Sequence, residues 1–516
     1  MEIRRLSLLL ALGLALLPLA ARADDPPPLP AAADAVSHHA VIAGGRTLRY
    51  TVRAGRTVLR DAKDEPAASL FSVDYTLDGA PKATRPVAFL WNGGPGSSTL
   101  WLHMGSFAPL VVRTNDTGVV GVPAALVPND GTLLGATDLV FVDAPGTGLS
   151  RIGGKGKPAD FYGVDQDARA FAQFVERWLG AHDRWGSPRF LIGESYGTTR
   201  AANVVDRLQS AGVGINGVVL ISSVLDENTL DPAPLGEDLS HVKYLPSEAA
   251  VAWYHDALPS PRPAQLEPFL AEVRRFAGGP YAAALMQGAN LDPAARRDIV
   301  ARLHGYLGLD ESYIERADLR IDPSRFEKEL LRGRGRLAGR LDGRFVGYDV
   351  DRTSDSPAYD PTLDSSIQSA FVGAFNRYLR DDLNYRTDLR YLPFNYAEIG
   401  PAWNYKRDAN DVGIGVRTPD VIPDLAQALT RNPGLRVFSA NGYFDLATPF
   451  FGTELDLAHL GIDPALRSHV SYGYYRSGHM IYLEPNARRQ LRTDIETWMR
   501  ATLANRMNEE HTTQRS

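Results

Sequence analysis

The sequence of 516 residues contains no cysteine. This absence excludes a disulfide framework, catalysis by a thiolate, zinc sites built on cysteine and iron–sulfur clusters. The H-E-x-x-H pattern of zinc hydrolases is missing as well. We therefore expect neither a metal nor a cofactor, and a fold that is stabilised by core packing.

Net charge of either sign is also low. The chain has 55 Lys and Arg against 61 Asp and Glu, for a formal charge of −6. Proteins that bind nucleic acid usually carry a basic patch or a strongly basic composition, so we expect no nucleic-acid partner. With 44% hydrophobic and 22% charged residues, the composition is that of an ordinary globular protein. It fixes neither the number of domains nor the oligomeric state.

The first 23 residues have the pattern of a secretory signal peptide. Arg4 and Arg5 precede an apolar run over 6–20, and Ala21-Arg22-Ala23 is an A-x-A cleavage site. The run is shorter than the ~20 residues that a membrane-spanning helix needs. We therefore predict cleavage, no membrane span in the mature chain, and export to the periplasm or the exterior; a retained anchor is the alternative.

Several short, continuous apolar runs follow, and such runs are typical of strands buried on both faces of a parallel sheet. Between the second and third run, residues 171–179 place apolar side chains at helical spacing, which predicts a helix on that sheet. This alternation predicts an α/β fold with a mostly parallel central sheet flanked by helices. The predicted strands lie at 86–91, 137–142, 189–192, 217–221 and 436–440.

Composition divides the rest of the chain. Residues 24–45 are rich in Pro and Ala, which predicts a poorly ordered lead-in. We assign 46–229 and 431–505 to the α/β core, 230–430 to a helical insertion or cap, and 506–516 to a flexible tail. Within the insertion, an Arg-rich stretch from Arg332 to Arg344 is broken by glycines, and this pattern favours solvated turns without a function over an anion site.

The only G-x-S-x-G motif in the chain surrounds Ser195 and reads Gly193-Glu194-Ser195-Tyr196-Gly197. It follows a predicted strand and precedes a segment compatible with a helix. This is the context of a nucleophile elbow, a tight strand-to-helix turn that presents a serine hydroxyl above the sheet. The pattern therefore predicts Ser195 as the nucleophile of a hydrolase.

A serine nucleophile needs a base to take its proton and an acid to orient that base. In this fold the partners follow in the order Ser, Asp, His. Asp445 comes just after the strand that ends at residue 440, and His479 lies between a strand-like stretch and a C-terminal helix. Both are candidates by position, while a structural role for His479 and three competing acids stay open at this point. The competing acids are Asp411, Asp424 and Asp463.

The oxyanion that forms during acyl transfer needs two backbone N–H donors. The residue after the nucleophile, Tyr196, would supply one of them. The glycine-rich segment 92–98, with sequence NGGPGSS, follows a predicted strand and is a candidate source of the second. A tight turn that binds no ligand is the alternative for this segment.

Four segments taken together, WNGGPGSS, GESYG, NGYFDLATP and SGHM, resemble those of the serine carboxypeptidase family, the carboxypeptidase Y-like α/β-hydrolases, and especially its bacterial secreted branch. DAPGTGLS at 143–150 resembles a further family segment. The resemblance extends in order from about residue 70 to residue 500 and is thin across the insertion. It implies an α/β-hydrolase fold with a cap between the nucleophile and the acid.

The resemblance also implies roles for individual residues. Ser195, Asp445 and His479 would form the catalytic triad, and the N–H groups of Gly94 and Tyr196 would form the oxyanion hole. Asn92 and Glu194 would bind the C-terminal carboxylate of the substrate. Two carboxyl groups tolerate each other only if one is protonated, so Glu194 would act in its neutral form and favour acidic pH.

One departure concerns substrate recognition. The second substrate-binding glutamate of the family corresponds, without gaps, to a position near His103. We hypothesise that a protonated His103 pairs with the substrate carboxylate instead. An unrelated loop histidine is the alternative.

These observations together predict an exported serine carboxypeptidase-like hydrolase that forms an acyl-enzyme, acts on a peptide or a small acyl substrate and prefers acidic pH. An esterase, amidase or acyltransferase with the same triad is the first alternative. A binding protein that keeps the fold without turnover is the second.

Overall fold

The structure is a computed structural model that describes residues 28–30, 34–230, 237–407 and 419–513, with side chains up to residue 504. The strands are β1 (Ala35–Ala43), β2 (Arg46–Arg60), β3 (Pro66–Leu77), β4 (Val87–Trp91), β5 (Leu110–Val112), β6 (Leu126–Pro128), β7 (Asp138–Val142), β8 (Arg151–Ile152), β9 (Arg189–Ser195), β10 (Gly217–Ser223), β11 (Arg336–Ala338), β12 (Val346–Tyr348), β13 (Arg436–Gly442) and β14 (Val470–Tyr475).

The α-helices fall into a core set and a set from the insertion. They are α1 (Leu100–Leu102), α2 (Val164–Ala181), α3 (Tyr196–Ser210), α4 (Leu239–Tyr254), α5 (Leu266–Phe276), α6 (Ala282–Gln287), α7 (Pro293–Leu307), α8 (Glu311–Arg316), α9 (Pro323–Glu329), α10 (Gln368–Arg377), α11 (Tyr396–Ala402), α12 (Ile422–Arg431), α13 (Phe450–Ala458) and α14 (Pro485–Thr513).

A sheet of ten strands forms the centre of the molecule, in the order β1-β2-β3-β7-β4-β9-β10-β13-β14, with β8 paired to β3. The strands from β7 to β14 along this order run parallel, and β1, β2 and β3 add an antiparallel edge. All five predicted strands are present, and the α/β class is confirmed. Because the strands are parallel, the loops that follow β4, β9, β13 and β14 meet at one edge of the sheet.

Both faces of the sheet are covered. Val87, Phe89 and Trp91 of β4 pack with α2, α3 and α12, whereas Ala88 and Leu90 point to the opposite face, which α14 covers. The predicted helix is α2, and its apolar stripe at residues 171–179 is buried. Burial on both faces explains why these strands read as continuous apolar runs instead of alternating ones.

The insertion contributes a separate hydrophobic cluster formed by α4 to α9, which also packs on the loop after β13. A buried ion pair fixes this cap to the core. Lys243 of α4 lies 2.7 Å from the Asp456 carboxylate of α13. Such a pair stabilises only when both partners are present, because a single charge left inside is costly. The insertion is therefore anchored directly above the sheet edge at which the loops meet.

Two predictions about the termini are wrong in part. Residues 35–43, within the predicted lead-in, form β1, because every residue from Ala35 to Ala43 pairs with β2 and thereby satisfies its backbone. Residues 506–513 of the predicted tail continue α14, where no Gly or Pro interrupts the helix after Pro485. The predicted signal peptide lies outside the described residues. Across the part of the chain that the structure describes, no helix is long and apolar enough to cross a membrane.

Candidate active site

Ser195 lies at the junction between β9 and α3 with φ 60° and ψ −135°. A residue with a Cβ rarely adopts this region, and the surrounding structure must hold it there. The strand-to-helix turn points the serine into a cavity above the carboxyl edge of the sheet. The geometry is that of the nucleophile elbow which the motif predicts.

The glycines of the motif are explained by close backbone contacts. A Cβ on Gly193 would lie 2.0 Å from the Gly197 carbonyl oxygen, and one on Gly197 would lie 2.9 Å from the carbonyl oxygen of Trp91. Both distances are shorter than any real contact. The indole of Trp91 is fully buried and donates a hydrogen bond to the Gly197 carbonyl, at 2.8 Å, so Trp91 supports the turn from below.

Asp445 and His479 meet at the same edge. The His479 Nδ1 atom lies 2.8 Å from Asp445 Oδ2, and both side chains are buried. The carboxylate also accepts hydrogen bonds from the N–H groups of Ala447 and Thr448, at 2.7 and 2.9 Å, and from the Thr448 hydroxyl, at 2.8 Å. The sequence analysis missed Thr448, although its position three residues after an aspartate is typical of an Asx-type turn.

Two of the three competing acids, Asp424 and Asp463, have other partners than His479. Asp424 pairs with Arg407, and Asp463 accepts the Ala465 N–H at the start of a 3₁₀ turn. Asp411 lies outside the described residues. Asp445 is thus the carboxylate that the described residues place next to His479.

The environment of His479 stabilises its cation. Burial lowers the pKa of the imidazole, but the charge and hydrogen bond of Asp445, together with the charge of Glu194, outweigh burial, and the net effect is a raised pKa. Within the described contacts, no hydrogen bond joins the Ser195 hydroxyl to His479, while both residues line the same cavity. Catalytic hydrogen bonds are often long in enzymes without substrate and tighten when substrate binds.

The glycine-rich segment lies directly against the elbow. A Cβ on Gly93 would be 2.4 Å from the Tyr196 backbone nitrogen, and Gly94 has φ +114°, a conformation that favours glycine. Tyr196 is the first residue of α3, where N–H groups have no acceptor within the helix. Gly94, Tyr196 and Ser195 all line the cavity, so the two candidate donors and the hydroxyl face one volume.

Asn92 and Glu194 form a buried hydrogen-bonded pair in the same wall. The Asn92 Nδ2 atom donates to Glu194 Oε1 at 2.9 Å, and Asn92 Oδ1 accepts the Leu102 N–H at 2.8 Å. Glu194 Oε2 is buried and makes no hydrogen bond of regular geometry with the described residues, and the buried Tyr482 hydroxyl is its polar neighbour. Burial raises the pKa of Glu194 to about 7. The carboxyl group is therefore protonated in mildly acidic solution, and both Glu194 and Asn92 line the cavity that Ser195 faces.

His103 does not take part in this site. Its side chain is buried outside the cavity lining, stacked 4.3 Å from the Phe141 ring and hydrogen-bonded through Nε2 to the Tyr75 hydroxyl at 2.6 Å. Burial lowers its pKa to about 3, so it is neutral wherever the protein works near neutrality. The hypothesis that a protonated His103 binds a carboxylate is wrong, and the structural alternative holds.

The Arg-rich stretch of the insertion also differs from the prediction, because its end is built into the site. The Leu341 carbonyl accepts the His479 N–H at 2.6 Å, and the Arg340 carbonyl accepts the Leu446 N–H at 3.1 Å. The Asp342 carboxylate accepts the Gly478 N–H at 3.0 Å. Residues 340–342 thereby fix the two loops that carry Asp445 and His479. Sequence reasoning missed this role because it depends on contacts between segments more than 100 residues apart.

Asp342 is held by a buried partner. The Arg344 guanidinium lies 2.6 Å from Asp342 Oδ2 and 3.0 Å from Asp116 Oδ1 at the rim. The exposed side-chain fraction is 1% for Asp342 and 49% for Asp116. The contact between Arg344 and Asp342 is therefore buried, whereas the contact between Arg344 and Asp116 is open to solvent.

The cavity that these groups share has a volume of about 360 Å³. This is the lower end of the range for small-ligand sites, about 300 to 1,000 Å³. Core residues form its floor, and the insertion supplies part of its wall through Arg340, Leu341, Asp360 and Leu363. Acyl transfer requires a nucleophile, a base held by an acid and two oxyanion donors, and the candidates for these roles lie in or next to this one small volume.

Replacing Asp342 by Ala should lower kcat for hydrolysis of p-nitrophenyl acetate by about 100-fold, because small displacements of a catalytic group have effects of that size. The KM should change little, since Asp342 touches the His479 loop and does not line the cavity. Asp342→Asn, which keeps an acceptor for the Gly478 N–H, should recover part of the loss. Asp116→Ala, which removes only the outer partner of Arg344, is the control and should retain activity. Equal kcat in folded Asp342→Ala and wild type would contradict the positioning role.

Part of the chain is similar to a known protein family. Residues 61–233 match a family model described as serine carboxypeptidase, and the matched segment contains Ser195 and the glycine-rich loop but neither Asp445 nor His479. No curated protein sequence matches the chain.

Among solved structures, a prohormone-processing carboxypeptidase from Saccharomyces cerevisiae, Kex1, is similar over 88% of this chain and 92% of its own, with 15% identity and a TM-score of 0.52. A putative aryl esterase from Burkholderia cenocepacia covers 87% of this chain and 99% of its own at 12% identity and a TM-score of 0.36. A proline iminopeptidase from Mycobacterium smegmatis covers 91% and 100% at 14% identity and a TM-score of 0.34. The fold is that of the α/β-hydrolases, and residues 61–233 are similar to the serine carboxypeptidase family.

Proposed function

We propose that this chain is a serine carboxypeptidase that releases C-terminal residues from peptides through an acyl-enzyme intermediate. The observation that carries the proposal is the cavity lined by the strained Ser195, by His479 with the buried Asp445 behind it, and by the Asn92–Glu194 pair. Ser195, His479 and Asp445 would carry out the acyl transfer. Asn92 and Glu194 would bind the C-terminal carboxylate of a peptide.

In the proposed reaction, the Ser195 hydroxyl attacks the carbonyl carbon of the last peptide bond while His479 takes its proton. Asp445 keeps the imidazole oriented and stabilises its positive charge, and the N–H groups of Gly94 and Tyr196 bind the oxyanion. The imidazolium then gives its proton to the leaving nitrogen as the C–N bond breaks. Water, deprotonated by the same histidine, hydrolyses the ester and restores the Ser195 hydroxyl.

The protonated Glu194 carboxyl and the Asn92 amide would hold the C-terminal carboxylate of the substrate. Two ionised carboxylates in contact repel each other, whereas one neutral partner allows a hydrogen bond. Because the pKa of Glu194 is about 7, its binding-competent form is present below pH 7 and is lost as the pH rises through that value. The proposed acidic preference for peptides follows from this direction.

We also propose that the protein is exported. The support is the sequence of residues 1–23, with its basic start, apolar run and A-x-A site.

The proposal predicts release of the C-terminal amino acid from N-blocked dipeptides at pH 5 to 6, little release from the same dipeptides with a C-terminal amide, and none by Ser195→Ala. Amino-acid analysis of the products measures each rate. Hydrolysis of simple esters that requires Ser195, with no release from any peptide, would instead favour the esterase, amidase or acyltransferase alternative.

Glu194→Gln should remove the pH dependence that Glu194 causes, because an amide donates a hydrogen bond at every pH. The KM for a free-acid dipeptide should rise above pH 7 in wild type and stay nearly constant from pH 5 to 8 in Glu194→Gln. Steady-state kinetics at several pH values measure this difference. The control is an ester substrate that carries a C-terminal amide in place of the free carboxylate. A KM that rises equally in both proteins would contradict the proposed role of Glu194.

A further inference from the structure

A second cavity of about 510 Å³ adjoins the catalytic one. Four residues line both, and they therefore form the boundary between the two volumes: Glu227, Leu230, Arg340 and Ala447. Arg340 is the cation among them, and it belongs to the insertion. A substrate that occupies the catalytic cavity and extends into the second one must pass this guanidinium.

The Arg340 side chain is exposed and makes no hydrogen bond or ion pair with the residues that the structure describes. Its neighbours in the Arg-rich stretch all have partners. Arg332 pairs with Glu329, Arg334 donates to the His255 carbonyl, Arg336 stacks on Tyr348 and Arg344 pairs with Asp342. Arg340 therefore differs from the other arginines of the stretch in that its guanidinium has no partner among the described residues.

The backbone around Arg340 fixes its position next to the triad. Its carbonyl accepts the N–H of Leu446, the residue after Asp445, and the carbonyl of the following Leu341 accepts the N–H of His479. The positive charge of Arg340 also counteracts the rise in the pKa of His479. The guanidinium is thus held within electrostatic range of the reacting groups by an ordered backbone.

The acidic groups that the structure places near Arg340 form no hydrogen bond or ion pair with its guanidinium. Asp360 uses its oxygens to accept the N–H groups of Arg340, Leu341 and Thr362. Burial raises the pKa of Glu327 well above its usual value and that of Glu227 to about 7, so both are largely protonated in mildly acidic solution. Asp322 caps the start of α9.

We propose that Arg340 binds a second carboxylate of the substrate, the side chain of an Asp or Glu that flanks the cleaved bond. A planar guanidinium with free donors pairs with a carboxylate through two parallel hydrogen bonds. This inference rests on the proposed function, in which Asn92 and Glu194 already hold the α-carboxylate. In an acidic peptide, the carboxylate left for Arg340 is then that of the Asp or Glu side chain. The enzyme therefore prefers an acidic over a neutral residue at the position that Arg340 contacts.

The test compares N-blocked dipeptides that differ only in Glu against Gln, placed either at the C-terminal position or at the position before it. At pH 6 the Glu side chain is ionised, since its ordinary pKa is about 4.3. We expect wild type to prefer Glu by about tenfold in kcat/KM at one of the two positions, the effect of a hydrogen bond to a charged group. The position that shows the preference identifies the side of the cleaved bond on which Arg340 acts.

Arg340→Gln should abolish this preference, and Arg336→Gln, an arginine of the same stretch that lines neither cavity, should retain it. The readout is the ratio of kcat/KM for the Glu substrate to kcat/KM for the Gln substrate. The charge of Arg340 also acts on His479, but this effect changes both rates together and leaves their ratio unchanged. The same ratio in wild type and Arg340→Gln would overturn the proposal.

A binding measurement keeps this test separate from the proposed function. Calorimetry with Ser195→Ala should find the preferred Glu dipeptide bound about tenfold more tightly than its Gln counterpart, and Ser195→Ala/Arg340→Gln should bind both equally. If no peptide is hydrolysed by wild type, the carboxypeptidase proposal fails while this difference in affinity still supports Arg340 as a carboxylate site. Equal affinities in both proteins would overturn the Arg340 proposal whatever the hydrolysis results are.

Discussion

The structure of the site depends on the backbone of Ser195, which adopts φ 60° between a strand and a helix. This conformation exists only because three nearby residues have no side chain. Gly193 allows the two ends of the turn to touch, Gly197 allows the end of β4 at Trp91 to approach, and Gly93 allows the neighbouring loop to reach the Tyr196 nitrogen. The same contacts that hold the strain also bring the candidate oxyanion donors to the serine. Strain and catalytic geometry therefore have one origin, the close packing of three backbone segments at the carboxyl edge of the sheet.

The insertion is part of the catalytic geometry as well as a cover. The carbonyls of Arg340 and Leu341 and the Asp342 carboxylate accept hydrogen bonds from the backbones of the loops that carry Asp445 and His479. A cap that moved away as a unit would break these hydrogen bonds. The Lys243–Asp456 pair provides an independent attachment on the other side of the insertion. We infer that the position of His479 relative to Ser195 and the position of the cap are coupled.

The sequence alone was sufficient for the features whose signals are local. Buried parallel strands appear as apolar runs, the elbow appears as G-x-S-x-G, and the acid and base follow strand ends in a fixed order. The features that it missed depend on contacts that are distant along the chain. His103 occupies a position suggested by an ungapped alignment, but aromatic packing against Phe141 and Tyr75 buries it outside the cavity. Arg340 and Asp342 lie in a stretch whose composition indicates solvated turns, and only the folded insertion brings them to the triad. Strand β1 was hidden because its partner, β2, supplies the stabilising ladder.

The central claim is that Ser195 is activated by His479 within this cavity. Labelling with a fluorophosphonate, followed by mass spectrometry of the digested protein, tests it directly. The account predicts a single adduct on the peptide that contains Ser195, formed at least about 100-fold more slowly in His479→Ala, since the histidine is the base that activates the serine. An adduct elsewhere, or labelling of Ser195 at the same rate in His479→Ala, would contradict the account.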